Sequence, residues 1–161
     1  MRFIKILLII SSLIVMGVAI YIVMYELSRY NLSQLPLSLY FHMSFAFISA
    51  AINIIFHVRS FQYYKRKENV RLHKKIHKIL WVGAICFAAF LIYVGGVTLY
   101  SLILLIEYGY NGQQLLVIFL FIIGGCLGFL EASILKKRMR RLRSENNTMD
   151  EIDNIGKEVD Y

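Results

Sequence analysis

The chain contains few residues that would interrupt a helix or crosslink a fold. Its 161 residues include one proline and two cysteines. Cys86 and Cys126 both lie in apolar segments, without CxxC or metal-ligand spacing. We therefore expect neither a disulfide framework nor a local cysteine metal site, and we interpret both residues as small buried thiols. The near absence of proline allows long uninterrupted helices.

Acidic residues and long polar segments are also scarce. Ten Asp and Glu face 18 Lys and Arg, which gives a net charge of +8, while 58% of the residues are hydrophobic and the mean hydropathy is +0.61. This composition lies outside the soluble range and indicates an integral membrane protein. Basic residues cluster beside apolar runs, a pattern typical of membrane topology signals, so we expect no nucleic-acid partner.

Four apolar runs are long enough for the ~20 residues that a membrane helix needs. We predict an all-α fold, a four-span transmembrane helical bundle, with spans at about 3–25, 37–58, 77–106 and 114–135. We interpret Arg2 and Lys5 as positive charges that precede the first span. A cleaved signal peptide has an apolar region of only about 7 to 15 residues, and this run continues through Val23, so we favour an uncleaved span.

The distribution of positive charge predicts the orientation of the bundle. Lys and Arg occur before the first span, between the second and third spans, and after the fourth span, whereas the other two links are nearly free of them. We therefore expect both termini to be cytoplasmic. Residues 136–161 form a tail that is first basic and then acidic, which we expect to be mobile. Its basic part can bind anionic lipid headgroups.

The second span carries a polar stripe. The stripe consists of His42, Ser49, Asn53 and His57. At about 100° per residue these four side chains fall within roughly an 80° arc of the helix. A polar group that faces lipid without a partner costs several kcal/mol. We therefore expect the stripe to face other helices or a water-filled crevice.

Three ionisable residues should lie at one depth near the cytoplasmic side: His57, His77 and Glu131. A carboxylate inside a membrane is costly, by about 2.5 to 3.5 kcal/mol for Asp on insertion scales, so Glu131 should have a partner. His77, His57, Lys78 and Arg59 are the candidates. Four interpretations remain open: a polar cluster that fixes helix packing, a zinc or iron site, a b-type haem site, and a proton or solute path.

Small residues predict where the helices approach one another. On the third span Ala84, Ala88 and Gly95 share a face with His77. On the fourth span Gly124 and Gly128 form a GxxxG pair, with Glu131 on the same side one turn later. These residues favour packing within the bundle or self-association.

The segment Leu72-His73-Lys74, followed by Lys78-Ile79, resembles a signature of a group of uncharacterised bacterial multi-span membrane proteins. These proteins have a membrane histidine followed by an LHRxxGRIY-like stretch. Here His77 stands where the signature has glycine, and Leu80 stands where it has tyrosine. That group has no settled activity, so the resemblance implies only that His42 and His73 are positions of interest.

These observations predict a multi-pass protein of the bacterial cytoplasmic membrane, the bacterial origin following from the Ile- and Lys-rich composition. We expect a non-enzymatic accessory or interaction subunit, with the lipid bilayer, a second copy or another membrane protein as partner and with no cofactor. One alternative is a haem- or metal-binding redox or transport protein that uses His57, His77 and Glu131. Another is an immunity-type protein against a membrane-active toxin.

Overall fold

The chain folds into four long helices. The computed structural model describes residues 2–29, 36–64, 76–104 and 112–158. The four helices are α1 (Arg2–Arg29), α2 (Leu37–Ser60), α3 (Lys78–Leu104) and α4 (Gly112–Glu158). Within these ranges there is one further element, a 3-10 turn at Phe61–Tyr64 that continues α2. These ranges contain no strand, which confirms the all-α prediction, and all four helices are long and apolar enough to cross a membrane.

The helix boundaries follow local chemistry. Pro36 occupies the N-cap of α2 in an extended conformation, and its carbonyl accepts a hydrogen bond of 2.9 Å from the backbone N–H of Leu39. The third helix begins at Lys78, which leaves His77 at the N-cap position. The fourth helix does not end near residue 135. It continues to Glu158, passing through a basic segment in which Lys, Arg, Met and Leu favour helix.

The helices form a ring in which sequence neighbours are antiparallel. Contacts join α1 to α2, α2 to α3, α3 to α4, and α4 back to α1. Lys5 near the start of α1 contacts Ser60 at the end of α2 and Glu131 in α4, so these segments share one end of the bundle. Arg2 therefore lies at the same end as Tyr64, whose carbonyl it contacts. We call this end the basic end.

Two apolar clusters fill the interior. The cluster at the basic end contains Phe56, Tyr63, Ile76, Leu80, Ala84, Leu135 and Leu142. The second lies deeper in the bundle and contains Val15, Ala46, Ala50, Phe87 and Leu91. Many large apolar side chains remain exposed on the outside of every helix, as expected for a surface in contact with lipid.

The prediction that both cysteines are buried is wrong. Cys126 is exposed and Cys86 is half-buried. In a membrane bundle an apolar segment has one face toward lipid, so a hydrophobic surrounding sequence does not imply burial within the protein.

Small residues set the spacing between α3 and α4. A Cβ atom added to Gly125 would lie 2.6 Å from the carbonyl oxygen of Ala88, and one added to Gly128 would lie 3.0 Å from the Ala88 Cβ. A Cβ on Gly95 would lie 2.7 Å from Ile122 Cγ1, and one on Gly124 would lie 3.5 Å from Leu91 Cδ1. Both glycines of the GxxxG pair therefore face α3.

Ala84, Ala88 and Gly95, the small residues expected to share a face of the third span, are all buried. Gly83, the residue before Ala84, allows a close approach on α2, because a Cβ there would lie 2.8 Å from the Cβ of Ile52. Small residues on α3 thus serve contacts with two neighbouring helices.

Gly125→Ala should destabilise the protein, whereas Gly96→Ala should not. The added methyl group on Gly125 meets the backbone of α3, and such overpacking costs about 1 to 3 kcal/mol. Gly96 has open space around its Cβ position, so alanine there should leave the free energy of unfolding unchanged or raise it by up to about 1 kcal/mol. Unfolding in mixed detergent micelles measures both values. Equal effects of the two substitutions would contradict the close approach at Gly125.

Candidate functional site

One face of α1 carries a charged residue into the interior. Lys5, Leu8, Ser12, Val15 and Ala19 are the buried residues of this helix, and their alternating spacing of three and four places them on one side. The side chain of Lys5 is 0% exposed. Lys5 is therefore not a charge in front of the first span, as the sequence suggested, but part of the bundle core.

Lys5 forms an ion pair with the buried carboxylate of α4. Its Nζ lies 2.6 Å from Oε1 of Glu131, whose side chain is also 0% exposed. The same Nζ donates a hydrogen bond to the Ser60 hydroxyl, which in turn donates to the carbonyl of His57 at 2.9 Å. The pair joins α1 to α4, and Ser60 joins both to the end of α2. We call Lys5, His57, Ser60 and Glu131 the buried polar cluster.

His57 completes this cluster from α2. Its Nδ1 lies 3.6 Å from Oε2 of Glu131, and its side chain is almost fully buried. Its imidazole packs edge-on against the ring of Phe56, with 5.2 Å between ring centroids. One carboxylate thus has a lysine beside one oxygen and an imidazole beside the other.

Aromatic rings and two arginines cover the cluster at the basic end. Lys5 Nζ lies 4.8 Å from the ring centroid of Tyr64, and Arg138 Cζ lies 4.9 Å from the same centroid, so one ring contacts two cations. Arg138 Nε also donates to the Tyr63 carbonyl at 2.6 Å, and Arg2 donates to the Tyr64 carbonyl at 3.0 Å. These bonds satisfy carbonyls that the end of a helix leaves without intrahelical partners.

A second polar contact lies deeper in the bundle. Asn53 Nδ2 donates to the Ser12 hydroxyl at 2.9 Å, and that hydroxyl donates to the Leu8 carbonyl at 2.8 Å. Ser49 is buried and donates to the Ala46 carbonyl at 3.2 Å. The bonds show how polar side chains of α1 and α2 are satisfied away from lipid.

The predicted stripe on α2 faces inward over only part of its length. Ser49, Asn53 and His57 are buried, but His42 is exposed. His42 Nδ1 lies 2.7 Å from the Ser38 carbonyl oxygen, and its ring stacks on Tyr93 with centroids 6.3 Å apart. A groove opens between α2 and α3 at this level, so helical phase alone does not bury the histidine.

His77 does not join the buried polar cluster. It is exposed at the N-cap of α3, where its carbonyl accepts the backbone N–H of Leu80 at 3.1 Å. We expected His77 to share a helix face with Ala84 and Ala88. That expectation assumed that the third helix includes His77, but α3 begins at Lys78. In the four described ranges no three His, Cys, Asp or Glu side chains come together as a possible metal site. His73 lies outside those ranges.

Several buried polar atoms of this region lack a hydrogen-bond partner within the part of the chain that the structure describes. They are His57 Nδ1, the Tyr64 hydroxyl and Oε2 of Glu131, whereas Oε1 accepts from the Lys5 ammonium at 2.6 Å. Unpaired buried polar atoms are rare because each costs about 1 to 3 kcal/mol.

Sequence reasoning identified Glu131 and His57 but missed Lys5, Ser60 and Tyr64. A lysine close to the start of an apolar run resembles an ordinary topology charge. The signal that could have found it is the seven-residue spacing from Lys5 to Ser12, which places both on one helical face with Leu8 and Val15.

The chain matches no protein-family model, no curated protein and no solved structure.

Removing one member of the ion pair should be more harmful than removing both. Lys5→Met or Glu131→Leu leaves a buried charge without its partner, which costs about 3 to 5 kcal/mol. The double variant buries no charge and should recover most of that loss, because apolar residues of similar size often replace a buried pair at little cost. The free energy of unfolding in detergent micelles measures each effect.

Glu26→Leu provides the matched control, since Glu26 is a partly exposed carboxylate on α1. We expect it to change stability by less than about 1 kcal/mol. A double variant whose loss equals the sum of the two single losses would contradict direct coupling between Lys5 and Glu131.

Proposed function

We propose that this chain is a non-enzymatic multi-pass protein of a bacterial cytoplasmic membrane that acts as an accessory or interaction subunit. The observation that carries the proposal is that Lys5, His57 and Glu131 face the interior of the bundle. Lys5, Glu131 and His57 contact one another in an enclosed part of the bundle. Charges arranged in this way disfavour any helix packing that separates them, whereas the exposed surface of the helices is available for association.

An aromatic groove is the best candidate for the contact surface. It lies between α2 and α3, has a volume of about 460 Å³, and is lined mainly by Phe41, Phe45, Phe90 and Tyr93, with Ala89 among them. Membrane helices associate by van der Waals packing, and aromatic rings supply large contact areas. We propose that a second copy of the chain packs against this groove.

The GxxxG pair is a weaker candidate for self-association. A Cβ on Gly124 would meet Leu91, and a Cβ on Gly128 would meet Ala88, so both glycines are already used between α3 and α4. Association through the outer groove needs no rearrangement of the bundle.

We further propose that both termini are cytoplasmic. Arg2, Arg59 and the basic segment of α4 belong to the end of the bundle where Lys5, Ser60 and Glu131 meet. Clustering of Lys and Arg near one set of helix ends favours the cytoplasmic side.

The haem, metal and proton-path alternatives have less support. All three used His77 together with His57 and Glu131, and His77 is exposed at the start of α3 rather than beside them.

Self-association should be measurable by energy transfer between donor- and acceptor-labelled copies in lipid vesicles. We expect transfer that falls as the protein is diluted with lipid. Ala89→Phe should weaken association about tenfold, equivalent to about 1.4 kcal/mol, by filling the groove. Val18→Phe adds a ring to the exposed surface of α1, a helix that does not line the groove, and should leave association unchanged. Absence of transfer at every dilution would contradict the proposal.

Reporter fusions test the orientation. A fusion at the C-terminus should be active with a cytoplasmic reporter such as green fluorescent protein and inactive with periplasmic alkaline phosphatase. A fusion made directly after Leu104 should show the reverse pattern, because three helices precede it. Alkaline phosphatase activity from the C-terminal fusion would contradict the orientation proposed.

A further inference from the structure

A basic cleft lies where the 3-10 turn meets α4. Its volume is about 450 Å³. Lys137, Arg138 and Arg141 line it, and Glu145 is the acidic residue among its walls. Three cations against one carboxylate give the cleft a positive local charge, which favours an anionic ligand.

The remaining walls are apolar. Tyr64, Ile134 and Leu142 line the same cleft. Ile134 and Leu142 are eight residues apart on one helix, or about 12 Å along its axis. The cleft therefore extends from the apolar part of α4 into its basic segment. A ligand that matches both parts has an anionic group joined to hydrocarbon, as a membrane phospholipid does.

Arg138 is held in place before any ligand arrives. Its Nε donates to the Tyr63 carbonyl at 2.6 Å, and its guanidinium lies over the Tyr64 ring. This bond uses one of five N–H donors, and the planar fork of a guanidinium matches phosphate oxygens. A preordered donor loses less entropy when it binds a ligand.

Lys137 and Arg141 add two exposed cations to the same wall. They are four residues apart, so they are neighbours on the surface of α4. Lys136 and Arg140 have the same spacing and are also exposed, but they do not line the cleft. The helix thus carries two equally charged pairs that differ in their relation to the cleft.

We propose that this cleft binds the phosphate headgroup of an anionic membrane phospholipid, with Arg138, Lys137 and Arg141 contacting the phosphate and Ile134, on the side of the apolar span, contacting the first part of the acyl chains. The inference depends on the membrane location in the proposed function but not on self-association. A monomer that binds the lipid would support this inference and contradict the other proposal.

Native mass spectrometry of the full chain in detergent tests the site. The probes are phosphatidylglycerol and phosphatidylcholine with identical acyl chains. We expect phosphatidylglycerol to bind at least about tenfold more tightly. Lys137→Gln with Arg141→Gln should reduce phosphatidylglycerol affinity about tenfold, because two phosphate contacts are lost. Arg138 is kept because it also binds the Tyr63 carbonyl.

Lys136→Gln with Arg140→Gln is the matched control. It makes the same change in net charge on the same helix and should retain affinity within about threefold. Both double variants alter exposed side chains, and melting curves of the two proteins establish that the fold is kept. Equal loss of binding in the two variants would overturn the proposal in favour of general charge attraction.

A competition experiment separates a lipid from free phosphate. Inorganic phosphate at millimolar concentration should not displace phosphatidylglycerol, because it makes no contact with the apolar walls. Displacement by inorganic phosphate alone, or equal affinity for the two lipids, would overturn the assignment to an anionic phospholipid.

Discussion

The contact between Lys5 and Glu131 is the interaction on which the arrangement of this bundle depends. Each charge alone would be strongly unfavourable in an apolar interior, and together they form a neutral pair at 2.6 Å. The pair links α1 to α4, which are farthest apart in the chain and share a smaller contact than α3 and α4 do. An ion pair at this position closes the ring of helices and fixes how far α1 can slide along α4.

The surroundings of the pair connect the core to the membrane boundary. Tyr64 contacts Lys5 on the interior side and Arg138 on the side of the basic cleft. Arg138 and Arg2 bind successive carbonyls at the end of the 3-10 turn. The segment that covers the buried charges is therefore held by the same arginine that lines the proposed lipid site. An anionic lipid bound there would contact Arg138, and through Arg138 it would act on the 3-10 turn that covers Lys5 and Glu131.

Hydropathy was sufficient to predict the number and type of helices because a bilayer requires about 20 apolar residues for each span. The cost of a buried carboxylate likewise identified Glu131. Its partner was not predictable from charge position alone, since Lys5 lies where topology signals usually occur. His77 was misplaced because its expected face assumes a helix that begins before Lys78. The fourth helix continues past the predicted span because residues 136–143 are Lys, Arg, Met and Leu, which favour helix although hydropathy falls there.

The most direct test of this account is the distance between the Lys5 ammonium nitrogen and the Glu131 carboxyl carbon, measured by solid-state NMR dipolar recoupling. The protein would carry ¹⁵N-lysine and ¹³C-glutamate in lipid bilayers, with Lys5→Met used to assign the signal. The account predicts a strong dipolar coupling between the Lys5 ¹⁵Nζ and the Glu131 carboxyl ¹³C, because Nζ lies 2.6 Å from Oε1 of that carboxyl group. A Lys5 nitrogen without coupling to any glutamate carboxyl carbon in the folded protein would contradict it.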